Sequence, residues 1–105
     1  MSISGGDSME EQFHLLDTIL EEAVDQNFDQ LLMVSRSDAS HLYMLSKGRV
    51  KKGITFEKDI VGAFVEYFRG KDHPVEEQDN LQFEMNVTAA AGLGKCFLVK
   101  INKKS

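Results

Sequence analysis

Lys47, Arg49, Lys51 and Lys52 place four cations within six residues. They are the sharpest basic cluster in the chain, with Lys95, Lys100, Lys103 and Lys104 as a second set near the end. Ammonium and guanidinium groups so close together suit phosphates or carboxylates. Binding of single-stranded nucleic acid also calls for aromatic side chains on which bases stack, and only Tyr43 stands nearby. The formal net charge of the chain is −5. Nucleic acid is therefore not the expected partner, and the four residues read as a candidate surface for interaction with a protein.

The remaining groups with chemical potential do not assemble into a centre. The histidines are His14, His41 and His73. None lies three or four residues from another, the spacing that would set two imidazoles on one helix face, and the single cysteine has no C-x-x-C partner. Neither a metal nor a cofactor is expected. Cys96 falls within an extended segment, on the face opposite Phe97 and Val99. The adjacent Lys95 points to the other side of such a segment, so Cys96 reads as a small packing residue rather than an activated nucleophile. Gly92-Leu93-Gly94-Lys95-Cys96 approaches the end of a phosphate-binding loop. However, the first glycine is misplaced, cysteine replaces the metal-binding hydroxyl, and a strand rather than a helix follows. No catalytic residue is assigned, and the chain is not expected to be an enzyme.

The elements that must carry these residues fit within 105 residues, one small domain. The composition is 42% hydrophobic and 28% charged, ordinary for a globular chain. One cysteine excludes an internal disulfide, which favours a reducing, cytoplasmic setting. No apolar run reaches the ~18–20 residues of a membrane span, so none is expected. Charge alternates in blocks. Residues 1–30 hold eight acids and no lysine or arginine, 31–71 carry +4, 72–90 carry −5 and 91–105 carry +4. Such blocks predict an acidic helical face and a basic sheet edge, a pattern suited to protein partners or to a homodimer.

Residues 1–7 read as a flexible tail and 8–105 as the domain. Ser8 with Glu11 three residues on makes a capping box. Phe13, Leu16, Ile19, Leu20, Ala23 and Val24 then repeat as one helical stripe over 9–26, with Asn27 as the stop. Gln30–Arg36 is a central strand, apolar on both faces. Strands at His41–Leu45 and Arg49–Ile54 follow, joined at Ser46-Lys47-Gly48, and the latter is an edge protected by lysines. Thr55 is expected to cap a helix over 56–69, whose stripe is Phe56, Ile60, Ala63, Phe64, Tyr67 and Phe68. Gly70 ends it, and 71–80 form an acidic loop containing Pro74. Leu81, Phe83, Met85 and Val87 alternate with polar residues in a half-buried strand, and Lys95–Asn102 pairs back across a glycine-rich turn. The order α-β-β-β-α-β-β implies an α+β fold of two layers, a mostly antiparallel five-stranded sheet with two helices on one face.

That order resembles the N-terminal PAS-like domain of the ATPases of type II secretion and type IV pili. The matching stretches are Phe28-Asp29-Gln30-Leu31, Leu45-Ser46-Lys47-Gly48-Arg49-Val50, Gln82–Val87 and Gly94–Ile101. Asp29 and Gly48 fit the family pattern. Leu31 stands for its histidine, Lys47 for its turn aspartate and Leu45 for its arginine. The resemblance implies a PAS/profilin-like fold and an accessory domain, lacking the ATPase portion, that docks or regulates within a secretion or pilus machine. Two readings of function follow: a non-enzymatic protein-interaction or regulatory module, and alternatively a PAS-like sensor holding a small molecule between the sheet and the aromatic helix Phe56–Phe68.

Overall fold

A computed structural model describes residues 2–3, 8–36, 39–69, 81–90 and 94–103. The elements run β1 (Ser2–Ile3), α1 (Met9–Asp25), β2 (Gln30–Ser35), β3 (Ser40–Ser46), β4 (Arg49–Phe56), α2 (Val61–Arg69), β5 (Leu81–Ala90) and β6 (Gly94–Lys103). The α+β fold inferred from the sequence is the observed one: five antiparallel strands and two helices in the order α-β-β-β-α-β-β. Within the stretch expected as a tail, Ser2–Ile3 pair in parallel with Thr55 and Phe56 at the outer side of β4. The sheet order is β1-β4-β3-β2-β6-β5.

Local chemistry sets the ends of α1. Ser8 Oγ accepts the Glu11 N–H at 3.1 Å, and Glu10 and Glu11 meet the positive end of the helix dipole. At the other end Asn27 has φ 59°. Its N–H donates to the Val24 carbonyl, and that of Phe28 to Ala23 at 2.8 Å. This pair of bonds closes the helix as a Schellman motif with asparagine in the left-handed position. The chain then enters β2, the middle of the sheet.

The β3–β4 connection is a two-residue hairpin. Lys47 has φ 53° and Gly48 φ 79°, the pair of positive angles that a type I′ turn requires. Lysine pays a steric penalty there, and Asp29 props the turn by accepting the Lys47 N–H on Oδ2 at 3.4 Å. The register shifts after Met44, which faces Lys52 while Leu45 faces Val50. Lys51 is the extra residue of this bulge.

The second helix begins later than the apolar stripe predicts. Thr55 and Phe56 continue β4, facing His41 and Ser40, so Thr55 is not a cap and Phe56 is a strand residue buried in the core. The stripe Phe56, Ile60, Ala63 has helical spacing by coincidence, because strand, loop and helix all drop side chains into one core. Asp59 starts the helix instead, its Oδ1 accepting the Val61 N–H at 3.0 Å. Gly70, the stretch 71–80 expected as a loop, Ser37, Asp38 and residues 91–93 of the expected glycine-rich turn lie outside the described residues.

Both helices lie on one face of the sheet. Leu16, Ile19, Leu20 and Ala23 of α1 and Ala63, Phe64, Tyr67 and Phe68 of α2 pack on Leu31, Met33, Leu42, Met44, Ile54, Phe56 and Val99. Strand alternation puts Gln30, Leu32 and Val34 of β2 on the other face.

Candidate functional site

The four cations expected to act together are divided by the bulge. Lys47, Arg49 and Lys51 are exposed around the hairpin tip. Lys52 turns to the helix side, where its ammonium bridges Glu22 Oε1 of α1 at 2.5 Å with both side chains about one-third exposed. That bridge ties β4 to α1 and contributes about 0.2–1 kcal/mol. Of the second basic set, Lys100 is exposed on β6, Lys95 and Lys103 occupy positions on the same strand, and Lys104 lies outside the described residues.

Beside the hairpin tip is a feature the sequence does not single out. On the face away from the helices, Leu32 stands between Tyr43 of β3 and Leu98 of β6. In the next row Leu45 faces Val50. Leu32, Tyr43, Leu45 and Leu98 are half-buried, and Val50 is 58% exposed. The Tyr43 ring lies across Gly53, where an added Cβ would come within 3.4 Å of it. No helix among the described residues covers this row. Its sequence signal is the run Leu31-Leu32-Met33-Val34, apolar at both parities. Such a run predicts a strand covered on both faces. In the structure the odd positions fill the core, Val34 is buried between His41 and Cys96, and Leu32 remains at the surface of the sheet.

The patch has a charged border. Arg49 and Lys51 flank Val50 in the chain, Lys47 stands at the turn, and Lys100 lies one row from Leu98, opposite Glu84 and Gln30. An apolar centre with a polar rim is the ordinary anatomy of a protein-binding surface. Among the described residues, the exposed acids of α1, Glu10, Glu11, Glu21 and Asp25, lie on the helical layer together with exposed Arg69 of α2, while Glu84 stands opposite Lys100 on β6, so both signs occur on both layers.

No family model matches the chain. Comparison with curated proteins and with solved structures likewise returns no match.

The other chemically suggestive residues occupy separate places. His14 is exposed on α1, away from its apolar stripe. His41 shares a 3.1 Å hydrogen bond between Nδ1 and Thr55 Oγ1 and stacks beside Tyr43 with ring centroids 6.5 Å apart. His73 lies outside the described residues. Cys96 is buried at 2% exposure, opposite Val34 and Thr88 in register. No cluster of three or more His, Cys, Asp or Glu side chains suited to a metal occurs among the described residues. No described helix is long and apolar enough to cross a membrane.

Among the described residues, one titratable group is strongly perturbed. Burial, then the hydrogen bond to Asp17, then the charges of Asp17 and Glu21 raise the pKa of the Tyr67 hydroxyl far above its ordinary value. That hydroxyl donates to Asp17 Oδ1 at 2.5 Å, joining α2 to α1. The aromatic rings around it pack against one another between the helices and the sheet. Phe64 and Phe68 meet edge-on at 4.9 Å, Phe68 and Phe83 at 5.5 Å, Tyr67 and Phe68 at 5.0 Å, and Phe13 and Tyr67 at 5.7 Å.

Proposed function

We propose that this chain is a non-enzymatic protein-interaction or regulatory module whose working surface is the helix-free face of the sheet around Leu32, Tyr43, Leu45, Leu98 and Val50. The observation that carries the reading is the apolar row itself, left at the surface by a two-layer fold and bordered by Lys47, Arg49, Lys51 and Lys100. Apolar side chains grouped on a surface within a charged border favour a partner with a complementary apolar centre, and the cations favour one with an acidic rim. An accessory role in a secretion or pilus machine, in the cytoplasm, rests on the sequence resemblance and the single cysteine. The alternative sensor reading rests on the same resemblance and on the aromatic helix alone.

Val50→Asp tests the proposal. At 58% exposure the substitution leaves the core intact, so thermal stability should move by no more than about 0.5 kcal/mol. In extracts of the cells that make it, the wild-type chain should elute from size-exclusion in a complex larger than itself, and Val50→Asp should elute as the free chain. Identical elution of the two proteins would refute this surface.

A further inference from the structure

On the face without a helix, the apolar side chains are ordered across the strands rather than along them. Leu98 of β6, Leu32 of β2 and Tyr43 of β3 stand side by side on three neighbouring strands. The row continues to Gly53 of β4, over which the Tyr43 ring lies. Neighbouring strands are about 4.8 Å apart, so the row advances by that step per side chain and by about 9.6 Å from Leu98 to Tyr43. An α-helix rises about 1.5 Å per residue and returns to the same face every three to four residues, a step of about 5 Å. An extended segment returns to one face at steps of about 6.7 Å. A helix laid across the strands therefore matches the row with one anchor per strand, and an extended segment falls out of step.

Charge is distributed unevenly around this row. Near Leu98, Lys100 stands opposite Glu84 of β5, so the two signs meet there. At the β4 end, Lys47, Arg49 and Lys51 are exposed around the hairpin, with Asp29 beside them accepting the Lys47 N–H. A positive excess gathers at that end. Lys52 of the same strand already holds a carboxylate, that of Glu22. The described helices offer no apolar stripe to the row of a second copy. Met9 is the one large hydrophobic residue exposed on α1, and none is exposed on α2.

We propose that the partner is a single amphipathic helix of another protein, laid across β6, β2 and β3, with apolar side chains at i, i+3 or i+4, and i+7 and with Asp or Glu in the turn that reaches β4. The proposal rests on the interaction-module reading and names the class of its partner. Leu98, Leu32 and Tyr43 each receive one anchor in turn. The acidic turn meets Lys51 and its neighbours, and this pairing decides which end of the helix lies over β4.

Photo-crosslinking of the full chain in the cells that make it is the test, with a photoreactive phenylalanine analogue at Leu98 or at Tyr43 and the attachment points mapped by peptide mass spectrometry. Both positions should attach to one partner protein, at points about six to eight residues apart, since about 9.6 Å spans that much helix. An extended segment would give about three residues. Lys51→Glu should cut the yield from Leu98 by about threefold or more, whereas Arg36→Glu, exposed just past the far end of β2, should leave it unchanged. Any other spacing, attachment to different proteins or to a second copy of this chain, or equal effects of the two charge reversals would overturn the proposal. Adducts in those cases still locate the docking surface, whereas no adducts from either position would refute the surface as well.

Discussion

Tyr67 shows how one side chain can join two helices and give the fold a pH dependence. Its hydroxyl reaches Asp17 fifty residues earlier, and burial with that bond raises its pKa well above the ordinary value. The folded state therefore holds a proton that the unfolded chain releases near pH ~10. The stabilisation is complete below that pH. As pH rises further, it falls by about 1.4 kcal/mol per unit for as long as the folded state remains protonated. Tyr67→Phe should cost about 1–2 kcal/mol at neutral pH. The gap between wild type and variant should narrow once pH passes ~10, as read by urea unfolding at neutral pH and above that point. A gap of constant size would show that the hydroxyl carries none of the alkaline sensitivity. Lys47 makes a different point at the same scale. It holds the left-handed position of a hairpin turn where asparagine or aspartate would be more comfortable, and Asp29 supports it from the preceding segment.

At the scale of elements, the loop between β4 and α2 is held by hydroxyls rather than by apolar packing alone. Ser40 is fully buried. Its Oγ donates to the Lys58 carbonyl at 3.0 Å and accepts the Ile60 N–H at 3.2 Å, while Ser35 Oγ donates to Asp59 Oδ2 at 2.9 Å. Ser40→Ala would strand a buried N–H and a carbonyl, and should destabilise the chain by about 1–3 kcal/mol in equilibrium unfolding. A loss below a few tenths would mean that water replaces the hydroxyl. These bonds also explain why the start of α2 was not legible in the sequence. Periodicity extends the helix back to Phe56, whereas Ser35 and Ser40, far away in the chain, hold residues 58–60 outside the helix. The first helix was legible at both ends because its signals are local: the Ser8–Glu11 capping box and Asn27. The alternation likewise described β5 in part: Gln82, Glu84 and Asn86 are exposed and Phe83 and Met85 pack against the core, but Val87, at the parity expected to be buried, is 58% exposed. The candidate site was less legible. The basic residues are plain in the sequence, but the bulge that sends Lys52 to Glu22 and leaves Lys51 outside is a property of pairing between strands. The exposed row at Leu32 depends on which side both helices choose.

For the whole molecule, the described helices leave one sheet face uncovered, and an apolar row lies there within a border of four exposed cations, Lys47, Arg49, Lys51 and Lys100. A third layer would hide this row in the core. Among the described residues no helix covers the row, which leaves it as the proposed docking surface. The most direct measurement is site-specific photo-crosslinking inside the cells that make the protein, with the photoreactive residue at Leu98 and, as control, at Glu21 on the exposed side of α1. Discrete adducts of defined mass from position 98, and none from position 21, are the predicted result. Adducts from position 21 with none from position 98 would contradict it.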